Sequence, residues 1–150
     1  MKNLLRLFQA LLPMMLIFSS CQKETTAADT SKLPSTLALL TDHTWRYDSL
    51  YNNYGQSNQV LIYVYGGPSN LQDWSKEHVK FYQDGSFDNI LSNGTLRTGP
   101  NTWSMNHDST LLYTTGGGYT NTAQIIKLTS NKLIWFDPVA KSYGIEVPKY

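Results

Sequence analysis

The chain has one cysteine, Cys21, in 150 residues, so no disulfide can form within a single copy. Charge is scarce, at 15% of residues, and nearly balanced, with 12 Lys and Arg against 11 Asp and Glu. That leaves no basic stripe of the kind that binds nucleic acid. No apolar run reaches the roughly 20 residues that cross a bilayer, and the longest, residues 7–18, is interrupted by Gln9 and Pro13. The three histidines, His43, His78 and His107, share no close ligand spacing, so no metal site is expected. No serine sits in Gly-x-Ser-x-Gly, and Gly116-Gly117-Gly118 lacks the Lys-Ser/Thr that completes a phosphate loop. Of the acids that might pair, Asp84 has a turn role and Asp137 stands at a strand end before Pro138. Neither an enzyme nor a cofactor is expected from these residues.

What the chain does have begins with an address. Lys2 and Arg6 lead into the apolar run, which ends in Ser19, Ser20 and Cys21, the layout of a signal peptide. Phe18-Ser19-Ser20-Cys21 resembles the lipobox of bacterial lipoproteins, with Phe18 where Leu is usual. The resemblance implies a diacylglycerol on the Cys21 thiol and cleavage just before it. Residues 1–20 would then be a lipoprotein signal peptide, and lipid on Cys21 would attach the mature chain to a membrane. With Lys2 and Arg6 removed, 10 basic residues face 11 acidic ones. Residues 21–36 contain no aromatic residue and no apolar periodicity, which predicts a flexible tether.

From residue 37 the pattern changes. Residues 36–40 suit a short helix or apolar plug, and residues 37–150 are expected to form one domain. Short runs rich in aromatic and β-branched residues recur between Gly, Asn, Asp and Ser clusters. They predict strands at 44–51, 59–65, 78–82, 86–91, 102–106, 110–115, 122–128 and 132–136, with a ninth at 142–147. Asp84-Gly85 and Asn93-Gly94 supply the positive φ that tight hairpins need, so neighbouring strands should be antiparallel. Alternation on the first strand puts Trp45, Tyr47, Ser49 and Tyr51 on one face and Arg46, Asp48 and Leu50 on the other. Glycines 116–118 suggest a bulge or a loop tip, and residues 66–76 the longest irregular segment.

Four segments are similar to the lipocalin-like domains of small Bacteroidota lipoproteins. They are Leu40-Thr41-Asp42-His43-Thr44-Trp45, Val79-Lys80-Phe81-Tyr82-Gln83-Asp84-Gly85-Ser86-Phe87, Asn101-Thr102-Trp103-Ser104-Met105, and the hairpin from Ile125 through Ser130-Asn131 to Trp135. His43 and Asn101 stand where that family usually has Gly. The resemblance implies an all-β fold, an antiparallel up-and-down β-barrel of about eight strands, able to enclose a small ligand or to fill its interior with side chains. Gln22-Lys23-Glu24 partly resembles the Lys-plus-acid signal that sends some lipoproteins of this group to the cell surface. The expected location is the cell envelope, lipid-anchored in the outer membrane, on its periplasmic or its surface side.

Trp45, Tyr47, Tyr63, Phe81, Phe87, Trp103, Tyr113 and Trp135 all fall in expected strands and could line a ligand pocket. The simpler reading of the same rings is that they fill the core of a small barrel. Trp74, in the long loop, is the candidate contact for a protein partner, and Tyr47, Tyr51, Tyr54, Tyr63 and Tyr65 could instead form an exposed aromatic surface with it. The sequence therefore supports a noncatalytic envelope lipoprotein binding a small apolar or amphipathic ligand. Its alternative is a protein-interaction or structural envelope module, an assembly factor or enzyme inhibitor, acting through its loops.

Overall fold

The structure, a computed structural model, describes residues 34–150. The expected signal peptide, the lipidation site Cys21 and nearly all of the expected tether lie outside the described residues. Residues 35 and 36, assigned above to the tether, belong to the ordered domain. Ser35 accepts a hydrogen bond from the Ala38 amide at 3.1 Å and so caps helix α1, Thr36–Thr41. No helix among the described residues is long and apolar enough to cross a membrane.

Nine strands follow: β1 (Thr44–Asn52), β2 (Val60–Val64), β3 (His78–Phe81), β4 (Phe87–Ile90), β5 (Thr102–Met105), β6 (Leu111–Gly116), β7 (Tyr119–Thr129), β8 (Lys132–Asp137) and β9 (Ser142–Pro148). They lie in the order β4-β3-β1-β9-β8-β7-β6-β5, each antiparallel to its neighbour. The free edges of β4 and β5 meet where Ser86 bridges Thr102 and the Trp103 amide donates to the Gly85 carbonyl at 2.7 Å. β2 pairs with residues 49–52 of β1, and β3 with residues 44–46, so the two share one edge of β1 as halves of a single wall position. The ring thus has eight positions and is an antiparallel up-and-down β-barrel, as expected.

The turns are made by a repeated local device. In Asp84-Gly85-Ser86, Asn93-Gly94-Thr95 and Asp108-Ser109-Thr110, the first side chain accepts hydrogen bonds from both the amide and the hydroxyl of the third residue, while the middle residue holds a positive φ. Gly117 and Gly118, at φ 60° and 83°, make the two-residue tip joining β6 to β7, so the glycine run is a loop tip. Neither His43 nor Asn101 has a positive φ, so neither position requires glycine.

One expectation from alternation is corrected. Tyr47 pairs with Glu146 and Ser49 with Ile145, which leaves Asp48 as an extra residue, a β-bulge. Beyond it the faces exchange. Leu50, opposite Gly144, points inward and is buried, whereas Tyr51 joins Tyr143 on the outside, their rings 6.1 Å apart. Tyr54 stacks on Tyr143 at 4.0 Å, completing an outer aromatic cluster that the single-strand reading could not place.

Helix α1 closes one end of the barrel. Leu40 is fully buried in the core, and its carbonyl accepts a hydrogen bond from the Trp45 indole at 2.9 Å. Phe81, Phe87, Trp103, Leu112 and Leu133 pack around these two residues. Phe81 meets Phe87 and Trp103 with ring centres at 5.8 and 5.6 Å, and the Trp103 indole donates to the Tyr82 carbonyl. Burying such rings is the largest favourable term in a domain of this size.

Candidate functional site

Above this floor the barrel is not filled. A cavity of about 380 Å³ occupies its interior, within the span of about 300–1,000 Å³ common to small-molecule sites. Strand alternation explains its lining. Trp45 and Tyr47 come from β1, Val79 and Phe81 from β3, Phe87 and Asn89 from β4, Leu112, Thr114 and Gly116 from β6, Tyr119, Asn121 and Ala123 from β7, and Leu133 and Trp135 from β8. Each set has a spacing of two, as inward positions on a strand must. Glu77 and His78 at the start of β3, Glu146 on β9 and Arg97 from the β4–β5 connection complete the wall.

The lining changes character along most of the strands. Near α1 it is Trp45, Phe81, Phe87, Leu112, Ala123 and Leu133. One or two inward positions further from the helix it becomes Tyr47, Glu77, Asn89, Thr114, Asn121 and Tyr119. Floor and mouth therefore offer opposite solvation: an apolar base and a polar rim around one space.

Glu146 is the chemically distinctive residue of this wall. It is only 6% exposed, its Oε1 accepts a hydrogen bond from the Trp135 indole at 2.7 Å, and its Oε2 has no partner among the described residues. Gly144 makes that bond possible. A Cβ there would stand 2.4 Å from Trp135 Cε2, so only glycine lets the indole lie against β9 and reach Glu146. Burial pushes the Glu146 carboxyl up to about 7, with the Trp135 hydrogen bond opposing and the charge of Glu77 adding to the rise.

Glu77 is likewise pushed up to about 7 by burial, against the Arg97 guanidinium and the Ser92 amide, which favour its ionised form. Burial, and then the carboxylates of Glu146 and Glu77, hold the Tyr47 phenol well above its ordinary value. Arg97 reaches the wall because the Asn93-Gly94 turn folds the chain back along β4, its amide donating to the Asn89 carbonyl at 2.8 Å. Its side chain lies across Gly117, where a Cβ would meet Nη1 at 2.8 Å, and its Nε has no partner among the described residues. Asn101 lies over Gly116 in the same way, its Oδ1 2.1 Å from where a Cβ would be. Two glycines of the 116–118 run thus make room for polar side chains, of which Arg97 lines the cavity.

Of the eight rings proposed from sequence as a pocket, Trp45, Tyr47, Phe81, Phe87 and Trp135 line the cavity. Three do not. Trp103 is part of the packed floor, Tyr63 is buried opposite Leu50 and away from the cavity, and Tyr113 sits half-buried on β6 between the inward Leu112 and Thr114. Trp74 is half-buried, edge-on to Tyr47 at 5.6 Å, with its indole N–H buried and unpartnered among the described residues, so it packs on the wall instead of projecting from its loop. No group of three His, Cys, Asp or Glu side chains gathers as metal ligands among the described residues.

Sequence reasoning missed Glu77, Arg97 and Glu146. A signal for Glu146 was present in Ser142-Tyr143-Gly144-Ile145-Glu146-Val147, where Gly144 and Glu146 face inward and the half-buried Tyr143, Ile145 and Val147 face outward. A strand with its polar side turned inward marks a barrel with a polar interior.

No protein-family model matches the chain, and no curated protein matches it. A solved structure does: a DUF4847 family protein from Bacteroides vulgatus, with a TM-score of 0.54 at 15% identity over 75% of this chain and 96% of that one. At that identity the likeness shows a shared barrel fold and nothing finer.

Proposed function

We propose that this chain is a noncatalytic, lipid-anchored protein of the cell envelope whose lipocalin-like barrel binds a small amphipathic ligand, apolar end toward α1 and polar end at the mouth. The observation that carries the reading is the graded lining of the 380 Å³ cavity, apolar beside the helix plug and polar beyond it. A filled barrel would have answered the same aromatic sequence pattern. A cavity with a buried, half-satisfied carboxylate is costly to maintain without a use for it. The anchor on Cys21 rests on the lipobox resemblance, and Cys21→Ser should abolish lipid labelling and leave the precursor uncut.

The binding reading is tested by native mass spectrometry of the chain isolated from its own envelope, with Ala123→Phe as the control. Ala123 lines the cavity from β7 and is 7% exposed, so a phenyl ring there would occupy the space. A small-molecule adduct on the wild type, absent from a folded Ala123→Phe variant, supports it. No adduct, and no uptake of added amphipaths, defeats it. The second reading, a partner-binding module, draws on Leu61, Tyr65 and Leu71, which are 46%, 48% and 71% exposed around β2 and the loop after it. A stoichiometric partner in membrane pull-downs, lost on Leu71→Asp, would favour that module.

A further inference from the structure

We infer that the polar end of the ligand is a protonated amine, held by Glu146 with the rings of Tyr47 and Trp135 beside it. The inference rests on the ligand-binding reading and adds the chemical class of the head group.

Three observations lead there. Glu146 is 6% exposed and lines the cavity, with Oε1 fixed by the Trp135 indole and Oε2 left without a donor. A carboxylate oxygen so placed lacks one N–H or O–H, and the cavity is where that donor can come from. Second, the charges around the cavity do not balance. Arg97 bears on Glu77 and on Tyr47, while among the described residues no positive charge bears on Glu146. With Arg97 set against Glu77, the Glu146 carboxyl has no cation to answer it when it ionises, and a bound cation would supply one. Third, Tyr47 and Trp135 stand 6.4 Å apart at 61°, and both line the cavity near Glu146. An aromatic wall of this kind suits an ammonium group better than an anion. A quaternary ammonium would have no N–H for Oε2, which narrows the class to amines that carry at least one N–H when protonated, primary, secondary or tertiary.

The titratable and charged groups facing this space are Tyr47, Glu77, His78, Arg97, Tyr119 and Glu146. Because burial keeps the Glu146 carboxyl partly protonated near neutral pH, seating an ammonium against it should expel a proton. An alkanol would expel none.

The test uses the full chain in phosphatidylcholine nanodiscs and three six-carbon probes titrated calorimetrically at pH 7: hexylammonium, hexanol and hexanoate. Hexylammonium should bind at least tenfold more tightly than either of the others and release a proton, read from buffers of different ionisation enthalpy. Glu146→Gln keeps an acceptor for Trp135 and should bring hexylammonium down to the level of hexanol, with proton release reduced and hexanol binding unchanged. Hexanol or hexanoate binding as well as hexylammonium overturns the amine assignment and leaves the pocket standing. Failure of all three probes, with no copurifying ligand, removes the pocket reading itself. Undiminished amine preference and proton release in a folded Glu146→Gln variant overturns the role of Glu146.

Discussion

The two ends of the barrel interior are built from the same strands yet solve different problems. At the floor every inward side chain is apolar and packed, and the one polar atom of Trp45 is answered by the Leu40 carbonyl. At the mouth, Glu146 Oε2 and Arg97 Nε remain unanswered among the described residues. The floor is where burial stabilises the fold, and the mouth is where stability is given up to keep polar groups poised.

Mutations at each end should show that division. The largest effect is expected at the floor. Trp45→Ala removes a fully buried ring and releases α1, which should cost about 3–5 kcal/mol in urea unfolding. A loss under 1 kcal/mol would mean that the plug is not integral to the core.

The mouth should respond with the opposite sign. The Glu146 carboxyl, raised from 4.5 to about 7 in the folded state, holds more protons folded than unfolded between those values, so its contribution is most favourable below about pH 4.5 and is lost as pH rises through 7. Glu146→Gln should therefore be more stable than wild type at pH 8, by on the order of 3 kcal/mol, and the gap should close towards pH 4.5. Parallel urea titrations at the two pH values would show it, and a pH-independent gap would place the cost elsewhere.

Between these lies Gly144→Ala, whose Cβ must displace the Trp135 indole. A cost of about 1–3 kcal/mol is expected, with a shift in tryptophan emission as the bond to Glu146 breaks. Unchanged emission would show that the indole is held by other contacts. Smallest is Ser35→Ala, which removes the cap of the plug helix and should cost about 1 kcal/mol without altering binding at the mouth. A binding change there would deny that floor and mouth are separable.

How much of this could be read from the chain differs between the two ends as well. All nine strands and the Asp-Gly and Asn-Gly turns were legible, because alternation and turn chemistry are local. The cavity-lining rings were partly legible: Trp45, Tyr47 and Trp135 follow from strand position, but Trp103 and Tyr63 could be told from lining residues only by how the barrel closes. The bulge at Asp48 depends on pairing with β9, nearly a hundred residues away, so the exchange of Leu50 and Tyr51 had no local signal. Glu77 and Arg97 enter from the ends of connections whose course is set by contacts distant in sequence. Glu146 lay in plain view on the ninth strand, whose inward face is the polar one and so gave no apolar alternation to read.

The shared edge of β1 has a mechanical meaning. Between the pairing of Arg46 with His78 and that of Ser49 with Val64, the wall is carried by the Tyr65 amide to the Asp48 carbonyl, by Arg46 stacked 3.7 Å over the Tyr65 ring, and by Trp74 against Tyr47. Along the laddered pairs of the sheet a gap means unzipping a continuous ladder, but here, as at the single bridge between Ser86 and Thr102, the staves are already cut. The barrel therefore has a built-in point of compliance beside its cavity, where residues 65–77 can lift while β1 stays joined to β9. Amide exchange across that segment would be faster than in either flanking strand, and the rate at which anything enters or leaves would be set at the side of the barrel as much as at its rim.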